Sequence, residues 1–216
     1  VAPKTRDGIL DTTRPRDVTT VAAGLREALE VATGRGVDQL SSVDGFLGDA
    51  MLRIMIPEPF EAVASTMRDL GLGDTVDEFE TAMNRAAERA SAEARPVFWN
   101  EIRRLSIADA FGILNGGDNA ATDYFRGRTK TELRSRFLPI VQDKMEEVGL
   151  YRIYGDLADR YNAIPFVTTP ALDLDAHVAD GALNGLFSVL GKEEARIRQD
   201  PVARSTELLR RVFGSR

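Results

Sequence analysis

Cysteine is absent from the 216-residue chain, which excludes disulfides, thiolate zinc sites, iron–sulfur clusters and cysteine nucleophiles together. Histidine is almost as scarce. The single imidazole, His177, leaves no multi-histidine metal site, and any Ser-His-Asp triad would have to be built on it. No run of 18 apolar residues occurs, so the sequence offers no membrane-spanning helix. Positive charge is short as well: Lys and Arg number 28 against 34 Asp and Glu, and the formal net charge of −6 has the wrong sign for a nucleic-acid binder. Arg196, Arg198, Arg204, Arg210 and Arg211 do gather near the end of the chain, but Glu193, Glu194 and Glu207 are interleaved with them, the pattern of a solvated helix face. What the chain does contain, 43% hydrophobic and 29% charged residues, is the composition of a folded globular protein.

Residues 1–17 hold two prolines, four basic residues and little that could be buried, and read as an exposed arm. Residues 18–216 read as one helical domain. Val21, Leu25, Ala28, Leu29 and Ala32 recur at helical spacing behind Asp17 or Thr19 as N-cap, and the pattern fades into Gly34 and Gly36. A broken stretch follows in which Leu52, Ile54 and Ile56 alternate, the one place for a minimal strand pair, near residues 52–56. Phe60, Val63, Ala64, Met67 and Leu70 form the next stripe, ended by Gly71 and Gly73. Asp74 is placed to cap the stripe of Val76, Phe79, Met83, Ala86, Ala87 and Ala90, and Pro96 interrupts it. Phe98, Ile102 and Leu105 continue, Ser106 recaps, and Ala110, Phe111 and Leu114 finish before two glycines. A long segment from Asp118 to Val148 carries Pro139 as an expected kink; Leu150 to Tyr161, Leu174 to Leu190 and a last short run opened by Pro201 complete the pattern. Roughly eight helices with short connections predict an all-α fold.

Chemistry has few places to hide. In NGGDNAATDYFRGRT, residues 115–129, Asp118 stands at a helix start, and its carboxylate is expected to cap the free amides of the first turn. The lysine and hydroxyl of a phosphate-binding P-loop are missing. Asp118, Asn119, Thr122 and Asp123 are oxygen ligands on one turn, which makes a cation site the sharper alternative, although their spacing is not that of a calcium loop. Asp173 and Asp175 precede the penultimate helix and read as caps, with His177 near Asp173 and Asp180. The aromatics Phe98, Trp99, Tyr124, Phe125, Tyr151, Tyr154, Tyr161 and Phe166 read as core. Their alternative is an apolar pocket anchored by tyrosine hydroxyls and Arg126.

GFLGD (45–49), IPEPF (56–60), LGLGDTVDEFETAMNRAAE (70–88), ILNGGDNAATDYFR (113–126), VGLYRIY (148–154) and DPVARSTELLRRVFG (200–214) occur in one colinear order. On these segments the chain resembles the bacterial family catalogued as domain of unknown function 4197, whose most specific blocks match GGDNAATDYFR and the Glu193 to Arg204 segment here. The resemblance implies a helical protein exported with a signal peptide to the envelope of Gram-negative bacteria, in keeping with a chain that begins at Val1. It implies no catalytic residue, cofactor or metal. It does direct attention to Asp118, Thr122, Asp123, Tyr124 and Arg126 as candidate ligand-binding residues. The expected function is therefore that of a non-catalytic binding or interaction protein of the periplasm or cell envelope, its partner an envelope protein, a peptidoglycan fragment, a lipid or another small apolar ligand. The alternative is a carboxylate-based hydrolase centred on the Gly-Gly-Asp helix start, with or without a divalent cation.

Overall fold

A computed structural model describes residues 18–199. The expected arm at 1–17 and the expected last helix after Pro201 lie outside those residues. In chain order the elements are α1 (Val18–Ser41), α2 (Glu61–Asp69), α3 (Gly73–Ser91), α4 (Arg95–Arg104), α5 (Ile107–Asn115), α6 (Ala120–Glu147), α7 (Leu150–Asn162) and α8 (Leu174–Gln199), with single 3-10 turns at Glu58–Phe60 and Ala92–Ala94. The all-α class holds.

The α1 stripe does not fade at Gly34 and Gly36. The helix continues through both, because Val37 and Leu40 beyond them are fully buried. That burial, about 1.5–3 kcal/mol for each side chain, exceeds the roughly 1 kcal/mol cost of each helical glycine. Proline behaves in two ways: Pro96 sits in the first turn of α4, where its missing N–H is harmless, whereas α6 runs through Pro139 without interruption. The α2–α3 connection is a Schellman turn. Leu72 N donates to Met67 O at 2.9 Å, Gly71 N donates to Arg68 O at 3.0 Å, and Gly71 carries the positive φ of 81° that such a turn needs. The N-cap of α3 is Leu72 rather than Asp74, which lies inside the first helical turn and meets the macrodipole there. Ser106 does recap the chain: its Oγ accepts from Asp109 N at 3.1 Å and donates back to the Asp109 carboxylate at 2.6 Å.

No strand occurs among the described residues, so the expected pair near 52–56 is corrected to a single extended strap. Its partner is a side chain. Asn84 of α3, wholly buried, accepts from Ile54 N at 2.9 Å and donates to Ile54 O at 2.9 Å, supplying both hydrogen bonds that a neighbouring strand would have offered. Ahead of the strap, the buried Glu88 carboxylate accepts from Phe46 N at 3.2 Å and is held by Arg85 at 2.6 Å. The alternation of Leu52, Ile54 and Ile56 thus marks no strand: Leu52 closes a turn onto Asp49 O at 3.0 Å, and Ile54 finds its hydrogen-bond partner in a side chain.

One hydrophobic cluster joins the helices. α8 packs on α1, α3 and α6, and α3 reaches α2, α6 and α7, so these two helices form the centre. Along α8, Gly181 lets the strap approach and Gly185 the turn ahead of it: a Cβ at Gly185 would stand 2.5 Å from the Phe46 ring, and one at Gly181 would stand 3.0 Å from Ile54. Of the aromatics, Phe98 and Phe125 are buried as expected, whereas Phe166 is fully exposed.

Candidate functional site

The Gly-Gly-Asp turn joins α5 to α6, and its open amides are satisfied from a distance. The Glu194 carboxylate, on α8, accepts from Ala121 N, Thr122 N and Thr122 Oγ1, each at 2.9 Å. The same carboxylate receives Arg198 through Nε at 3.0 Å and Nη2 at 2.8 Å, and Arg198 Nη2 also donates to Ile113 O at 2.8 Å near the end of α5. Both side chains are only 6% exposed. Burying a carboxylate costs several kcal/mol, but here that cost is met by five hydrogen bonds of about 1.5–3 kcal/mol each and by the positive end of α6. The pair is a double cap that fastens the end of one helix and the start of the next onto α8.

This corrects the expectation for Asp118. Its side chain is exposed and takes only a 3.4 Å bond from Gln199, the N-cap position belongs to Asn119, and the capping carboxylate comes from Glu194. Asp173 does cap α8, accepting from Ala176 N at 3.0 Å, but Asp175 is bonded instead by Tyr151 Oη at 2.7 Å. His177 contacts neither expected carboxylate; its Nε2 lies 2.9 Å from Met55 O, while Asp180 pairs with Arg134.

The five candidate residues separate. Thr122 is buried in the Glu194 cap. Asp123 and Arg126 lie on the same helical face and, with Thr122 itself, line a concavity of about 340 Å³ against α8, together with Asn119, Ser188, Gly191 and Lys192. The Arg126 guanidinium rests over the Phe187 ring at 5.0 Å. Tyr124 points to another face, toward α5, where Arg128 stacks on it at 5.2 Å. Burial, and then the hydrogen bond to Asp109, pushes the Tyr124 phenol up. The Ser106 hydroxyl, and then Tyr124, hold Asp109 below the usual carboxylate range. Asp118 is not among the walls of the concavity. No group of three or more histidine, aspartate or glutamate side chains among the described residues is arranged to hold a metal.

A larger concavity, about 420 Å³, opens nearer the start of α8, between that helix and the strap. Its walls include Ile54, Met55, Glu58, His177, Asn184 and Ser188. Ser188 lines both concavities, which follow one another along the same face of α8 as one furrow. The strap, α6 and α8 are each pinned by buried side chains, which makes the walls rigid. Sequence reasoning passed over Asn84, Asn184 and Lys192, and it read Glu194 and Arg198 as part of a solvated helix face, which their burial corrects. Glu194 and Arg198 did leave a signal, an acid-to-base pair four residues apart inside a specific block; Asn184 left none.

No curated protein and no solved structure matches the chain. A family model described as protein of unknown function (DUF4197) matches residues 16–214, both blocks joined by the Glu194–Arg198 cap included, and the chain belongs to that family.

Proposed function

We propose that the chain is a non-catalytic binding protein of the bacterial cell envelope whose ligand lies in the furrow along α8. The observation that carries this reading is the pair of concavities that share Ser188 along one face of α8, walled by helices and a pinned strap. Rigid walls favour binding, because little ordering entropy remains to be lost when a ligand arrives. The carboxylates of the alternative hydrolase support it less: Asp118 faces solvent outside the furrow, and Asp123 stands in the smaller concavity while Glu58, the other carboxylate of the furrow walls, lines the larger one. The envelope assignment rests on the export that the family resemblance implies.

Thermal denaturation tests the reading. Octapeptides, dodecanoate and a muramyl peptide serve as probes, and one of them should raise the melting temperature of the wild type by about 5–10 °C at a concentration near 100 Kd. Ser188→Trp, which fills the waist of the furrow, should abolish that rise while leaving the unliganded melting temperature within a few degrees. A rise of equal size in both proteins would place the ligand elsewhere. Hydrolysis of a probe that is lost in Asp118→Asn or Asp123→Asn would promote the enzyme.

A further inference from the structure

We infer that the occupant of the α8 furrow is an extended peptide segment bearing a carboxylate, its backbone clasped by Asn184 and its carboxylate held by Arg126. This rests on the furrow being the binding site.

The protein already displays the clasp. Asn84, on α3, satisfies both main-chain groups of Ile54 at 2.9 Å each, and so holds one extended residue against a helix with one carboxamide. Asn184 presents the same group from α8. It is exposed, it lines the larger concavity, and among the described residues its side chain has no hydrogen-bond partner. A carboxamide offers a donor and an acceptor on one planar group, which matches the N–H and C=O of an extended residue and is wasted on a hydrocarbon. Beside it stand Met51 and Met55, 84% and 59% exposed, flexible thioethers that adapt to varied apolar side chains. An acyl chain would also use those methionines, but would leave Asn184 and Ser188 desolvated without partners, which disfavours it.

Charge gives the segment a direction. The strap runs opposite to α8, since Asp49 lies 4.0 Å from Lys192 whereas Met55 meets His177. Glu58, three residues past Met55 and on the same wall, therefore stands at the His177 end. At the other end Arg126 and Lys192 stand against Asp123 and Asp49, the latter 4.0 Å from Lys192, which leaves Arg126 as the cation open to a ligand. Arg126 has no ion-pair partner among the described residues, and its guanidinium, stacked on Phe187, presents a fixed planar fork of the kind that grips carboxylates. A segment laid with its amino end toward Glu58 and a carboxylate at Arg126 matches both ends. From His177 to Ala195 the helix rises about 27 Å, the length of about eight extended residues. The carboxylate is either a free chain terminus or an acidic side chain.

The test is selection of random octapeptides displayed with free carboxyl termini, followed by fluorescence-anisotropy titration of the enriched sequence. Wild type should bind it, and both Asn184→Leu and Arg126→Gln should weaken binding tenfold or more at unchanged melting temperature. Amidation of the peptide terminus should cause a similar loss if the terminus is the anion; Glu→Gln or Asp→Asn within the peptide should do so if a side chain is. Enriched peptides that bind Asn184→Leu and Arg126→Gln as tightly as wild type would overturn the inference. So would a furrow that enriches no peptide yet binds dodecanoate in wild type and not in Ser188→Trp, an outcome that keeps the furrow as the binding site. If no probe depends on Ser188, the binding reading itself fails.

Discussion

Asp118 and Glu194 exchange the roles that the sequence suggests for them. Asp118 sits beside the α6 N-terminus along the chain, yet its side chain is spent in solvent, whereas Glu194, 73 residues from Ala121, supplies the acceptor. Asp118→Ala is therefore expected to change stability by less than about 0.5 kcal/mol, as an ordinary surface substitution does. Glu194→Ala should cost about 3–5 kcal/mol, because it strands a buried guanidinium and leaves the Ala121 and Thr122 amides without their acceptor. Urea denaturation midpoints for the two variants check this, and a larger loss for Asp118→Ala would return the cap to the local aspartate. The specificity of the GGDNAATDYFR and Glu193 to Arg204 blocks acquires a physical cause here: they are the two halves of one buried joint.

Element boundaries follow the side chains that tertiary packing buries more closely than they follow glycine and proline. α1 crosses Gly34 and Gly36, and α6 crosses Pro139, in each case with buried apolar residues on the far side. Gly71 is different, since the α2–α3 turn requires its positive φ. Gly71→Val should cost about 1–2 kcal/mol through the left-handed penalty. Gly73→Ala should be neutral or slightly stabilising: Gly73 begins α3, and an added Cβ would meet only the Arg68 side chain, at 3.8 Å. Thermal denaturation of the pair separates a turn glycine from a helix glycine, and equal losses for both would contradict the assignment.

The core of the molecule is shared. α8 packs on α1, α3 and α6, and its apolar residues from Leu174 to Ile197 belong to the same cluster as those of α1 and α3. Such a core leaves no helix group with a hydrophobic interior of its own, so unfolding should be cooperative. Far-UV circular dichroism and the fluorescence of Trp99 are expected to report one urea midpoint. Two separated midpoints would show that the helices divide into independent units, against the expectation of one helical domain over residues 18–216.

The sequence by itself determined the helical class, most helix-bearing segments, the caps at Ser106 and Asp173, a turn glycine at Gly71 or Gly73 and the family. Each is a local property: periodicity, capping chemistry and backbone conformation act over a few residues, and a linear reading sees them. Only the tertiary structure decided that Ile54 pairs with Asn84 rather than with a strand, that Glu194 caps α6, and that Asp123 and Arg126 share a face while Tyr124 turns toward α5. It alone brought Asn184, Lys192 and the strap into one furrow. These are juxtapositions of residues tens of positions apart, fixed by which faces of α3, α6 and α8 the core buries, and no local pattern encodes the partner that a buried polar group will find.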